Sequence, residues 1–167
     1  MTVLFDQLPE NARAWVYTAN RLLTEQEVET VEHRLSEFTS TWSSHGTPLN
    51  AASKVFDRAV VVIAVQDGWD AASGCSIDKS VGILKSLEQE LKVTFFDRML
   101  LLFKARKESE ISFVLVSTLK RGLQEGEISA DALVVNTQAD TLNTLKNGPW
   151  VAIQSTWLAK SAVLNIR

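Results

Sequence analysis

Val55-Phe56-Asp57-Arg58-Ala59-Val60-Val61-Val62-Ile63-Ala64-Val65 carries seven consecutive apolar residues, from Ala59 onward, near the middle of a 167-residue chain. A run with no polar position has no wet face, so it predicts a strand covered on both sides, at the centre of a sheet. On its N-terminal side, Thr24 and Glu27 form a capping box. Val28, Val31, Leu35, Phe38 and Trp42 then recur at spacings of three and four, which predicts a helix. That helix is expected to stop where His45 and Gly46 meet Pro48, because glycine takes the left-handed conformation readily and proline cannot continue a helix. Further upstream, Arg13-Ala14-Trp15-Val16-Tyr17-Thr18 is rich in aromatic and β-branched residues and reads as the first strand. On the C-terminal side, a polar loop over residues 66–72 leads to Ser73. Ile77, Val81, Leu84, Leu87 and Leu91 then mark one face of a second helix that starts near Cys75. Two helical crossovers around one apolar strand favour parallel neighbours.

Residues 99–103 and 111–116 are apolar runs separated by a charged turn over 104–110, which predicts an antiparallel hairpin. Beyond Ser117 the signals shorten. A small helix through Leu119 and Leu123 ends at Gly126, and residues 132–136 read as a strand. A helical turn at Leu142 and Leu145 ends at Gly148-Pro149, residues 150–153 form a last strand, and Trp157 gives the tail an apolar group to bury. The expected class is α/β (α+β), with a mixed β-sheet packed against helices in the order β-α-β-α-β-β-α-β. The length fits one globular domain over 1–167, with 117–167 a candidate small C-terminal subdomain.

Composition narrows the function classes. Hydrophobic residues make up 46% and charged residues 22%, as in ordinary folded domains. Seventeen Lys and Arg stand against 20 Asp and Glu, a formal charge of −3, which gives no electrostatic reason to bind nucleic acid or a membrane surface. Asp6 and Glu10 interrupt the N-terminus, so no secretory signal is expected there, and the run over 59–65 is too short to span a bilayer. One cysteine cannot close an internal disulfide or build a Cys-rich metal site, so the expected setting is a reducing cytoplasm with no metal and no cofactor.

The stretch with unusual chemistry is Ser73-Gly74-Cys75-Ser76-Ile77-Asp78-Lys79. It follows the predicted central strand, where open parallel sheets bind ligands, and a helix start there presents backbone N–H groups to an anion. Ser73, Gly74, Ser76, Asp78 and Lys79 are therefore candidate ligand-binding residues, joined by Trp69 as an aromatic cover and by Arg98 of the Asp97-Arg98 pair. The plainer alternative is that the serines cap the helix and do nothing more. Cys75 is the candidate nucleophile, since a helix N-terminus favours the thiolate, although lone cysteines are more often buried and inert. A nucleophile needs a base, and the chain has only His33 and His45. His33 lies between core positions of the first helix. His45 precedes the central strand while Cys75 follows it, which on a βαβ reading puts them at opposite sheet ends. The element order is similar to a thioredoxin core, but there is no Cys-x-x-Cys and no proline before the third strand.

Arg13-Ala14-Trp15-Val16-Tyr17, Trp42 with His45-Gly46, the 73–79 run, Asp97-Arg98 and Gly126-Glu127-Ile128 together resemble a family of short bacterial proteins. That family is marked by a Ser-Gly-Cys-Ser-Ile-Asp run and is often labelled "ABC transporter ATPase". The resemblance covers nearly the whole chain and implies no particular activity. The tail reads Ser155-Thr156-Trp157-Leu158 where the resemblance leads one to expect a histidine after the tryptophan, so no role passes to that position. No Gly-x-x-x-x-Gly-Lys-Ser/Thr run exists to cradle phosphates, so ATPase chemistry is not expected. The expected function is a non-catalytic module binding a small anion or a protein through 73–79. The alternatives are a thiol-dependent enzyme using Cys75 and a homodimer built on surface tryptophans.

Overall fold

The computed structural model describes residues 3–66 and 72–164. It is an α+β protein in which, among the described residues, four α-helices accompany antiparallel sheets, and its contacts divide into two compact units. Unit 1 comprises Met1–Phe96 and Thr137–Asn147, and unit 2 comprises Asp97–Asn136 and Gly148–Arg167.

Unit 1 contains β1 (Arg13–Thr18), α1 (Glu25–Thr41), β2 (Ser43–Ser44), β3 (Thr47–Pro48), β4 (Ala51–Phe56), β5 (Val60–Val65) and α2 (Gly74–Leu91). The main sheet has the order β1-β5-β4, so the apolar run is central as expected, and all six residues of β5 are buried. The direction of pairing differs from expectation. β5 runs antiparallel to both neighbours, with Arg13 opposite Val65 on one side and Ala51 opposite Val65 on the other. Asp57 and Arg58 are the cause. Both adopt left-handed backbone, φ 51° and 55°, in a turn closed by the Ala59 N–H on the Phe56 carbonyl (3.0 Å), and this splits the quoted stretch into a hairpin. Turns with both central residues left-handed match the twist of a hairpin. Arginine is unsuited to that conformation. Its side chain holds it there by donating from Nε to the Leu23 carbonyl at 2.7 Å. The α1 crossover does join strands of one direction, β1 and β4, but β5 is inserted between them as in a split βαβ unit.

Helix α1 begins as its capping box predicts. Thr24 Oγ1 accepts from the Glu27 N–H at 3.1 Å, and the Glu27 carboxylate accepts from the Thr24 N–H at 2.8 Å. It ends at Thr41, earlier than His45 and Gly46. Those two residues instead form the left-handed turn (φ 50° and 80°) of the small β2–β3 hairpin. Helix α2 buries Ser76, Ser80, Leu84 and Leu87, so the inner face of its first half is serine rather than Ile77 and Val81, which are half-buried. The core between helices and sheet gathers Leu23, Val31, Leu35, Trp42, Val61, Ile63, Val65, Leu84 and Leu87. Each is almost fully removed from water, the main source of stability for this unit. After α2 the chain leaves this unit and returns at Thr137. The Ala14 N–H then bonds the Asp140 carbonyl, and the Leu142 N–H bonds the Ala12 carbonyl.

Unit 2 is a four-stranded antiparallel sheet of order β7-β6-β8-β9, built from β6 (Leu100–Lys104), β7 (Ser112–Leu115), β8 (Leu133–Val135) and β9 (Trp150–Ala152). The predicted hairpin is β6–β7, and α3 (Val116–Gln124) and α4 (Trp157–Leu164) complete the unit. α3 ends in a Schellman motif. The Glu127 N–H reaches the Gly122 carbonyl (2.9 Å) and the Gly126 N–H reaches the Leu123 carbonyl (3.3 Å), with Gly126 at φ 72°. The tail is anchored by Leu158, almost fully buried, and not by Trp157, which lies exposed with Lys120 over its ring.

Candidate functional site

Helix α2 starts where the sequence places it. Ser73 is the N-cap, and its Oγ accepts from the Ser76 N–H at 3.3 Å. The Ser76 hydroxyl donates to the Ser73 carbonyl at 2.8 Å, the Ser73 hydroxyl lies 3.4 Å from Ser76 Oγ, and the Ile77 N–H bonds the Ser73 carbonyl at 3.0 Å. The Ser76 hydroxyl proton is thus committed inside the cap. Ser76 is buried, and its carbonyl accepts the Trp42 indole N–H at 2.9 Å. From the neighbouring hairpin, Ser44 Oγ accepts the Ser73 N–H at 3.3 Å. Two residues outside the motif therefore pin the helix start. Trp42 shows in the sequence as an apolar position only, and Ser44 carries no signal at all.

Around this cap, Gly74, Cys75, Asp78 and Lys79 are exposed. Cys75 is a free thiol facing solvent, which corrects the expectation that a lone cysteine is buried. Gly74 is not needed for a tight turn: it is the first helical residue, and a Cβ built there meets nothing within 4 Å. Trp69 lies outside the described residues. Arg98 belongs to unit 2, in the segment before β6, where the neighbouring Asp97 accepts the Met99 N–H at 2.9 Å. Ser73, Gly74, Cys75, Ser76, Asp78 and Lys79 are together because the cap and the first two turns of α2 carry them.

The antiparallel pairing also changes what surrounds this turn. The end of β5 lies beside the starts of β1 and β4, so the helix start is not at the carboxyl ends of parallel strands, and the rule that places ligands there does not apply. It also removes the separation expected for the histidine. The β2–β3 hairpin precedes β4 at that same sheet end, and the Ser44–Ser73 bond ties it to α2, with exposed His45 next in sequence after Ser44. His33 is exposed on α1 beside Glu37, at 3.7 Å.

Deeper in unit 1, burial raises the Tyr17 phenol above its ordinary pKa, and a hydrogen bond with the Ser80 side chain partly opposes the shift. Between the helices, Glu27 is lowered to about 2, first by its hydrogen bond with Arg21 and then by the Thr24 N–H. Arg21 reaches both Glu27 oxygens at 2.7 and 2.8 Å and also the Leu91 carbonyl at 2.8 Å. It thereby ties the start of α1 to the end of α2. Among the described residues, no group of three or more His, Cys, Asp or Glu is placed to hold a metal ion, and no helix is long and apolar enough to cross a membrane. No family model, no curated protein and no solved structure matches the chain.

Proposed function

We propose that the chain is a cytoplasmic, non-catalytic binding module whose contact surface is the outer rim of the α2 start, Gly74, Cys75, Asp78 and Lys79, and that its partner is a protein. The observation that carries this reading is an exposed glycine and thiol that the fold does not require, set on a helix turn pinned by Trp42 and Ser44. Rigid presentation lowers the ordering cost of binding. A small anion is the weaker occupant, because the Ser76 hydroxyl already donates to the Ser73 carbonyl and the Ser73 N–H to Ser44. An exposed single thiol suits a reducing compartment. The family resemblance belongs to the same proposal and adds no activity to it. Without a phosphate loop, an ABC-type ATPase is not the function proposed. The test uses the single thiol: Cys75 is labelled with a photo-crosslinker in the native protein and covalent partners are recovered. Gly74→Ala and Lys79→Glu should not lower the melting temperature and should weaken a recovered complex by about fivefold, the effect of losing ~1 kcal/mol at an interface. Unchanged binding in both variants, or adducts with a second copy of the chain alone, would overturn the reading, the latter in favour of a homodimer.

One observation favours a second reading. A thiol-dependent enzyme would use exposed Cys75 as nucleophile, with Lys79 on the same exposed helix start, and the Ser44–Ser73 bond fixes the hairpin that carries His45 to this helix start. On that reading the native protein alkylates rapidly at neutral pH, and His45→Ala slows the reaction. On the binding reading the rate follows an ordinary thiol and His45→Ala leaves it unchanged.

A further inference from the structure

We draw no further inference here: the strongest candidate, the outer edge of the unit 2 sheet at β7 with exposed Met99 and Leu115 beside it, is an unpartnered apolar edge, and nothing in the structure shows what covers it.

Discussion

Strands β5 and β6 are both apolar, and both lie between two antiparallel neighbours, yet they are buried in different ways. Each of the six residues of β5 pairs on both sides, and every one is buried. β6 pairs along four residues with β7 but along only two with β8. Of its five residues only Leu101 and Leu102 are buried. The first unit thus rests on a broad core of aliphatic side chains between helices and sheet. The second rests on a smaller cluster around Leu101, Val116, Leu119, Val134, Ile153 and Leu158, with tight local contacts at the end of α3. A run of apolar letters therefore does not fix the number of covered faces. Neighbouring strands pair its edges, but its faces are covered only by what packs above and below the sheet.

The largest effect should come from cutting matched leucines in the two cores. Leu84→Ala in unit 1 and Leu119→Ala in unit 2 both delete fully buried side chains, and such deletions cost about 2–5 kcal/mol. Leu84, enclosed by the larger core, should lie toward the upper end and Leu119 toward the lower, as read by urea unfolding. An equal or larger loss for Leu119→Ala would break the contrast between a broad and a narrow core.

A smaller effect should sharpen the point about local contacts in unit 2. A Cβ on Gly122 would sit 2.5 Å from Ile128 Cδ1 and 2.7 Å from Cγ1, closer than carbon atoms allow. Gly122→Ala should therefore cost about 1–3 kcal/mol despite its better helix propensity. In an Ile128→Ala background the same Gly122→Ala change should cost much less, because the atoms that clash are gone. If Gly122→Ala raises the unfolding midpoint, the close packing of α3 on Ile128 is not what holds that end of the helix.

The smallest effect concerns the clasp that unit 1 has in addition to its core. Because the folded Glu27 carboxyl titrates near 2 instead of at the ordinary 4.5, its contribution to stability is complete above about 4.5 and is lost as the pH falls toward about 2. Arg21 is 41% exposed, so solvent screens the pair and the contribution is modest. Wild-type protein should lose more stability than Glu27→Gln between pH 4.5 and 2. Parallel acid unfolding curves for the two proteins would show that the clasp contributes nothing.

Much of the local structure was legible in the sequence. The Thr24/Glu27 capping box, the Ser73 cap and the left-handed Gly126 are encoded within a few residues of where they act, and the structure contains each of them. The 73–79 site was legible only as a list of exposed and capping residue types. Whether the serine hydroxyls were available to a ligand depended on bonds within the cap. Its anchoring depended on Trp42 and Ser44, which lie 34 and 29 residues from the groups they bind. The position of His45 depends on a long-range feature too: residues 55–65 read as one strand put it at the far sheet end from Cys75, whereas the hairpin turn at Asp57 and Arg58 brings both to the same end.

By itself the sequence determined helices α1, α2 and α3, the capped starts of the first two and which strand is central, because periodicity and side-chain-to-backbone capping act over three or four residues; α4 and the end of α1 were not legible in it. Only the tertiary structure decided the direction of pairing. The turn at Asp57 and Arg58 carries no glycine, asparagine or proline. What offsets its left-handed arginine is a hydrogen bond to the carbonyl of Leu23, 35 residues earlier, a contact that exists only once the chain has folded.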